Sequence, residues 1–460
     1  MKLYDLIYKN KNLRFLNIST EKYTYATQFH KSLKINNFNG LVFIYSNNQI
    51  DSIEVFLNFL ESDFAISLLN RELHVEFKCS LEQIYQPYYI YDPLRIKIKG
   101  YKMCFVSESI VLHKKEEECT YSINKKIKLL LSTSGTTGTP KFVKLSDDNL
   151  VKNAISILDY MPVKSDDIVP LNIPINYVYG LSIFTTNCIK SNTVVCTNKD
   201  YLQKEFWDHF NKYKFSTLSG VPSVYEILIR IGFFKKEHKH LRYMTQAGGK
   251  LSKELVLTII QYSKKYNTPF YTQYGQTEAS GRMSFLHPYD LINRGYSIGK
   301  PIKGGSFEIV KDTDELVYYG DNVFGGYARR VEDLQTFNQS NKLFTGDIAK
   351  KDKEGYYYIT GRIKRIIKLF GTRINLDEVE IILKDNLKQD TFICTGVEDK
   401  YLAIAYTNNK LAQKPIKSVL KDKLNINSNI LKIFFLKKIP LTQNGKINYL
   451  QIQKHISLNL

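Results

Sequence analysis

Residues 129–149, Leu129-Leu130-Leu131-Ser132-Thr133-Ser134-Gly135-Thr136-Thr137-Gly138-Thr139-Pro140-Lys141-Phe142-Val143-Lys144-Leu145-Ser146-Asp147-Asp148-Asn149, carry the most specific information in this chain. An apolar run reads as a strand and leads into a loop of hydroxyls and glycines. Glycine admits backbone angles closed to other residues, so such a loop can turn its amides and hydroxyls around phosphate oxygens. Lys141 adds a positive charge at the end of the loop. This is not a Walker A loop, which needs four residues between its glycines followed by Lys and Ser/Thr together. Taken alone, the segment also fits a surface loop rich in small residues.

Outward from this loop, the chain alternates strand and helix patterns. Gly40 to Ser46 is a short apolar β-rich run, Asn47-Asn48 marks a turn, Ile50 to Glu61 has helical spacing, and Phe64 to Leu69 reads as a strand. Helix Asn149 to Tyr160, strand Ile168 to Ile173, helix Ser223 to Ile231 and helix Lys253 to Tyr266 continue the rhythm. The expected class is α/β, with a largely parallel sheet covered by helices. From about Gly304 short runs separated by Gly and Asp (SFEIV, ELVYYG, GGYARR, GYYYITGR) predict a β-rich subdomain over about 304–362. After Arg362 come helix Asp377 to Leu387, strands Thr391 to Val397 and Ala403 to Thr407, helix Ile416 to Leu424 and strand Ile430 to Leu436. About a hundred residues suffice for a separate small α/β domain. The predicted division is a core domain over 1–363 and a C-terminal lid domain over 364–460.

Further motifs follow the loop in order: Ala247-Gly248-Gly249-Lys250-Leu251, Tyr274-Gly275-Gln276-Thr277-Glu278, Thr345-Gly346-Asp347, Gly361-Arg362 and Pro440-Leu441-Thr442-Gln443-Asn444-Gly445-Lys446-Ile447. With SGTTGTPK they resemble the adenylate-forming superfamily, which includes acyl-CoA synthetases, luciferases, D-alanine carrier-protein ligases and peptide-synthetase adenylation domains. Six motifs in one order over Ser132 to Lys446 exclude coincidence.

The resemblance implies roles for particular residues. Thr133, Ser134, Gly135, Thr136, Thr137, Gly138 and Lys141 would form the phosphate loop, and Gly248 and Gly249 would line the adenine and acyl pockets. Tyr274, with Gly275 behind it, would pack on adenine. Thr277 would touch the α-phosphate and Glu278 a magnesium ion. Asp347 would hold the ribose hydroxyls, with Arg362 near ribose or phosphate, and Lys446 would contact the carboxylate and α-phosphate. The family's C-terminal domain takes two orientations, and the hinge falls at Lys364, an exposed polar joint that tolerates backbone rotation.

These residue types suit the chemistry. A carboxylate is a poor nucleophile toward an anionic triphosphate, so Mg²⁺, Lys446 and loop donors would neutralise charge building on the α-phosphate as pyrophosphate departs. No Ser-His-Asp set is needed, and no GxSxG elbow occurs. The acceptor would be a thiol, either the phosphopantetheine of an acyl carrier protein or free coenzyme A. The segment Gly361 to Glu380, through Lys368, Gly371, Arg373, Ile374, Leu376, Glu378 and Glu380, looks more like the carrier-protein branch.

The substrate pocket is sought at Asn176, Tyr177, Gly180, Gly220, Val221, Pro222 and Gly248. Leu171 to Phe184 contains no acidic residue, so no carboxylate is placed there to pair an ammonium in a desolvated site. An uncharged acyl or hydroxyacyl group is therefore expected over an α-amino acid. Tyr177 and Asp147 stand where many acyl-CoA synthetases have histidine, which blurs the subfamily.

Composition sets outer limits. The chain has 460 residues, 43% hydrophobic and 24% charged, with 65 Lys and Arg against 45 Asp and Glu, a formal net charge of +20. Such a charge steers acidic partners: nucleic acid, ATP or an acidic carrier protein. Lys, Asn, Ile and Tyr are enriched throughout, so compositional bias is a competing source. No nucleic-acid reader motif appears and no nucleic-acid partner is expected. A non-catalytic nucleotide-binding scaffold is the remaining reading of another class, opposed by the presence of every signature residue. Six scattered cysteines without CxxC predict buried thiols in a reducing compartment, and His238 and His240 are expected in a solvated helix end or loop. The apolar patch near the N-terminus is short and broken by charges, and no stretch reaches membrane-spanning length. A cytoplasmic location is expected.

Overall fold

Leu41–Ser46 and Ala65–Asn70 are apolar at nearly every position and buried on both faces, the pattern of central parallel strands. They pair in parallel with each other, and Tyr89–Tyr91 and Leu129–Ser132 extend the parallel core on either side. Antiparallel strands complete this eight-stranded sheet, among them Phe142–Leu145, which returns beside Leu129–Ser132. The computed structural model describes all residues except 34, 36–37, 108–109, 118–120, 133–140, 370–371, 389–390, 410, 425, 442–446 and 459–460, and, among the rest, all side chains except those of 372–373, 450 and 457–458.

The chain divides into two compact units, Met1–Phe307 with Tyr318–Leu343, and Glu308–Val317 with Phe344–Leu460. In the first, the Ile50–Glu61 helix is buried along most of its length, sharing one apolar cluster with Leu3, Ile7, Leu181 and Phe184. Lys128 reaches its C-terminal end and donates to the carbonyls of Phe59 (2.9 Å), Ser62 (2.6 Å) and Phe64 (3.2 Å). A cation there satisfies carbonyls the helix leaves open. A second sheet places Thr217–Gly220, Tyr243–Gln246 and Phe270–Tyr274 in parallel, followed by antiparallel Ser284–Leu286 and Lys300–Pro301. A third joins Ile168–Leu171, Thr193–Cys196, Arg14–Asn17 and Lys22–Tyr25. The expected parallel sheet is thus several mixed sheets, because antiparallel strands extend each parallel centre on at least one side.

The Asp147–Tyr160 helix begins two residues before its predicted start. Ser146 Oγ accepts from the Asn149 amide (3.1 Å) and Asn149 Oδ1 from the Ser146 amide (3.0 Å), a reciprocal cap. The Asn149 side chain also donates to the carbonyls of Asp321 (2.7 Å) and Val323 (2.9 Å), tying the helix to that segment.

In the second unit, residues 347–351 of the Lys342–Lys351 strand pair antiparallel with Tyr357–Arg362, setting Asp347 opposite Arg362. Beyond it, Phe392–Val397, Tyr401–Tyr406 and Leu431–Phe435 form a sheet covered by the Leu376–Leu387 and Gln413–Leu424 helices around Val379, Leu383, Ile404 and Leu420.

Two smaller expectations are corrected. Cys188, Cys196 and Cys394 are buried, but Cys79 and Cys104 are exposed. Cys119 lies outside the described residues. His238 lies in a loop as expected, yet it is buried, stacked on Phe233 at 4.1 Å between centroids, with Nε2 3.1 Å from the Phe233 carbonyl. An aromatic cluster formed by the chain around residues 206–240 covers it, and the surrounding lysines alone gave no sign of this.

Candidate functional site

Most of the phosphate loop, Thr133, Ser134, Gly135, Thr136, Thr137 and Gly138, lies outside the described residues, as does Lys446. Lys141 is described. Its Nζ sits 3.6 Å from the centre of the Tyr327 ring, within cation–π range. The Tyr327 hydroxyl in turn donates to Glu278 Oε1 at 2.8 Å. Burial, and then the adjoining Glu278 charge, push the Tyr327 phenol well above its ordinary pKa, so it remains a donor. Tyr327 therefore joins two predicted site residues, 137 positions apart in the chain, through one ring. Sequence reading placed it only in a β-like run, Gly325 to Arg330.

Glu278 lies in the one-turn Thr277–Ala279 helix just after Phe270–Tyr274. The turn is fixed from both sides: the Glu278 carbonyl accepts from Phe324 N (2.9 Å) and the Thr277 carbonyl from Ser280 N (3.0 Å). Gly275 is required for a steric reason. A Cβ there would lie 2.1 Å from the Gly281 carbonyl oxygen. Tyr274, at the strand end, has its ring 6.3 Å from that of Phe307.

At the neighbouring strand end, Gly248 has φ of +86° and its Cα faces Val221, whose Cγ1 would lie 3.4 Å from a Cβ at 248. Gly249 faces Pro222 in the same way, and Gln246 Nε2 holds the Gly249 carbonyl at 2.7 Å. The structure therefore brings Val221, Pro222, Gly248 and Gly249 together. Gly220 is packed under Val224 and Tyr225.

Asn176 and Tyr177 lie in the turn before the Val178–Lys190 helix. That turn is held by Asn48, whose Nδ2 donates to the carbonyls of Leu171 (2.6 Å) and Ile173 (3.0 Å) while Oδ1 accepts from Ile175 N (3.1 Å). Asn48 had been read only as a turn residue. The carbonyls of Pro174 and Ile173 occupy the space where a Cβ of Gly180 would stand, at 2.2 and 2.5 Å. The Tyr177 hydroxyl is buried without a hydrogen-bond partner among the described residues, and burial raises its pKa to about 12.

In the second unit, Asp347 is buried and Arg362 is exposed, with Arg362 Nε 2.9 Å from Asp347 Oδ1. Gly346 before it has φ of +71°, and its amide donates to Glu315 Oε1 at 3.0 Å. Thr345 Oγ1 donates to the Leu316 carbonyl (2.6 Å) and accepts from the Asp347 amide (3.1 Å). Each member of Thr-Gly-Asp thus has a structural task in aiming the aspartate. Lys364 is exposed between two anchored residues. The Arg362 amide donates to Asp377 Oδ2 (3.1 Å), and the Arg365 guanidinium binds Asp377 Oδ1 (2.7 Å), the Cys394 carbonyl (2.7 Å) and Glu380.

Among the described residues no three His, Cys, Asp or Glu side chains cluster as a metal site. Glu278 by itself fits a magnesium ion that arrives with phosphate ligands. One of its oxygens is fixed by Tyr327, and a carboxylate is a hard donor of the kind magnesium takes. No described helix is long and apolar enough to cross a membrane.

Compared with known proteins, residues 41–328 match the family of AMP-binding enzymes. Oxalate–CoA ligase of Saccharomyces cerevisiae is 27% identical over 339 residues, 70% of this chain and 62% of the relative, so the chain spans less than two thirds of that protein. 2-Succinylbenzoate–CoA ligase of Staphylococcus epidermidis is 25% identical over 439 residues, covering 92% of this chain and 91% of the relative. D-alanine–D-alanyl carrier protein ligase of Lactococcus lactis is 29% identical over 351 residues, 69% and 68% of the two chains. In fold, the chain matches the solved O-succinylbenzoate coenzyme A synthetase of Bacillus subtilis, in complex with its acyl-adenylate intermediate, with a TM-score of 0.77, 17% identity and 98% of each chain covered. The family match runs from the central strands through the Lys141, Glu278 and Tyr327 group and covers well over half of the sequence: the chain belongs to the AMP-binding enzymes, adenylate-forming ligases that use ATP.

Proposed function

We propose that this protein activates a small carboxylic acid as its acyl-adenylate, releasing pyrophosphate, and then passes the acyl group to the phosphopantetheine thiol of an acidic acyl carrier protein. The observation that carries the first step is the Lys141–Tyr327–Glu278 chain. It fixes a cation at the end of the phosphate loop and a carboxylate after the Phe270–Tyr274 strand, which is the charge pattern an incoming magnesium triphosphate needs. Glu278 would hold the ion, which supplies charge neutralisation at the phosphates. Tyr327 orients the Glu278 carboxylate by donating to one oxygen. Asp347, aimed by Thr345 and Gly346, would accept from ribose hydroxyls, with Arg362 balancing its charge. Tyr274 would pack on adenine, Thr277 would donate to the α-phosphate, and Lys446 would draw the carboxylate and α-phosphate together. Val221 and Gly248 would border the acyl group, with Asn176, Tyr177 and Gly180 at its side.

Lys364 would be the pivot between a core domain over 1–363 and a lid over 364–460. Rotation there would break the bond from the Arg362 amide to Asp377, while Arg365 would travel with the lid it anchors.

For the acceptor, the net charge of +20 and the carrier-like stretch Gly361 to Glu380 support a carrier protein, as does similarity to a D-alanyl carrier protein ligase. Coenzyme A is the second reading, favoured by the near full-length similarity to a CoA ligase. The test is acid-dependent exchange of labelled pyrophosphate into ATP over fatty, hydroxy, aromatic, dicarboxylic and amino acids, with Lys446→Ala as control. Thioester formation with coenzyme A and with carrier proteins then follows. Exchange lost in the variant is the expected result; exchange with no acid would refute adenylation.

A further inference from the structure

Arg282 is 3% exposed, and no Asp or Glu pairs with it among the described residues. Its Nε donates to Gln273 Oε1 (3.0 Å), its Nη1 to the Gly281 carbonyl (2.9 Å), and its guanidinium carbon lies 4.5 Å from the centre of the Tyr179 ring. Gln273 Nε2 is itself occupied by the Tyr160 hydroxyl at 2.8 Å. Every one of these partners is neutral. Removing a guanidinium from water is costly, and neutral dipoles and one ring face offset that cost only in part. Among the described residues, a full positive charge thus stands in the core of the first unit without a counter-charge.

Arg282 also lines a cavity. A narrow cavity of about 20 Å³ that opens to solvent lies between the second sheet and the helix of residues 178–190, walled on its polar side by Ser182, Thr186, Ser219, Thr245, Gln273 and Arg282. Ser219 is two residues before Val221, Thr245 three before Gly248, and Gln273 immediately before Tyr274. The cavity therefore runs behind the turns proposed to border the acyl group. Hydroxyls, an amide and a guanidinium make an acceptor-seeking wall. Arginine's planar fork is matched by a carboxylate.

We infer that Arg282 supplies the counter-charge for a second carboxylate on the acid, so that the substrate class is a dicarboxylic acid with one carboxyl presented for adenylation and the other bound in this cavity. The inference rests on the proposed adenylation at the same site. It replaces the uncharged acyl group expected from the sequence, because the cation that selects the charge lies well beyond the 171–184 segment on which that expectation rested.

The experiment uses the full chain and matched acids of equal carbon count, butyrate against succinate, valerate against glutarate, and o-toluate against phthalate. Pyrophosphate exchange is measured for wild type, Arg282→Lys and Arg282→Met, with ligand-induced melting shifts for the same acids without ATP. Wild type is expected to favour at least one dicarboxylic member tenfold or more in kcat/KM. Arg282→Met should lose that preference chiefly through KM for the acid, with KM for ATP unchanged, and Arg282→Lys should keep part of it. A purely structural Arg282 would not move acid preference in this selective way. Wild type that handles the monocarboxylic members equally well or better overturns the inference and leaves adenylation standing. Should no acid support exchange, adenylation falls and the melting arm decides. A dicarboxylate that stabilises wild type but not Arg282→Met upholds the anion site, and no stabilisation overturns it. If Arg282→Met does not fold, the preference of wild type and of Arg282→Lys decides.

Discussion

Replacing Gly275 by Ala tests whether the Tyr-Gly-Gln-Thr-Glu turn is glycine-bearing for packing. The new Cβ would stand 2.1 Å from the Gly281 oxygen, 2.7 Å from its carbonyl carbon and 2.9 Å from the Arg282 Cα. Ordinary contact begins near 3.4 Å, so the two strands of the turn would have to part by about 1.3 Å. All three atoms belong to backbone, and no rotamer change can relieve the clash. Overpacking of this kind costs about 1–3 kcal/mol, and the upper end is expected here. Gly100→Ala is the control. It has φ of +78° with nothing within 4 Å, so it carries only the left-handed backbone penalty, about 1 kcal/mol. Urea unfolding followed by the fluorescence of Trp207, the single tryptophan, reads the first unit, where both glycines lie. Gly275→Ala should lose about 3 kcal/mol and, by displacing Tyr274, Glu278 and Arg282, most of its pyrophosphate exchange. A Gly275→Ala protein within about 0.5 kcal/mol of wild type and still active would refute the packing argument.

Tyr327→Phe keeps the ring under Lys141 but removes the donor to Glu278. It should shift the magnesium dependence of exchange several-fold at a stability cost of about 1 kcal/mol, and an unchanged magnesium titration would count against the Tyr327 role. Asp347→Asn breaks a pair whose arginine is 65% exposed, so thermal stability should change by about 1 kcal/mol or less; KM for ATP should still rise tenfold or more, and equal small effects on both would remove Asp347 from the nucleotide site. Lys128 has its pKa lowered to about 8 by burial. The unfolded chain therefore holds more protons than the folded one between pH 8 and 10.5, and stability gains from this group as pH rises through that window. Measured as wild type minus Lys128→Met in urea unfolding, the gain should approach about 3 kcal/mol, and a difference flat from pH 7.5 to 10.5 would show that the three carbonyls hold the ammonium fully charged.

What the sequence determined by itself was local. Apolar runs such as 41–46 and 129–132 have no polar face, so they read as buried strands. The helices over 50–61 and 253–266 were bounded correctly because their periodicity and flanking polar residues agree. The motif residues stand out in the sequence because their types and spacing resemble those of the AMP-binding enzymes. The tertiary structure decided what depends on distant partners. Asn48 pins the turn before Tyr177 across more than 120 residues, and Tyr327 bridges Lys141 and Glu278. The aromatic cluster buries His238. Arg282 matters for the same physical reason. A positive charge in Ala279 to Ser284 looks unremarkable until folding removes water from around it and surrounds it, among the described residues, with neutral partners, and the energetic consequence of a charge is set by that surrounding medium rather than by its neighbours in the chain.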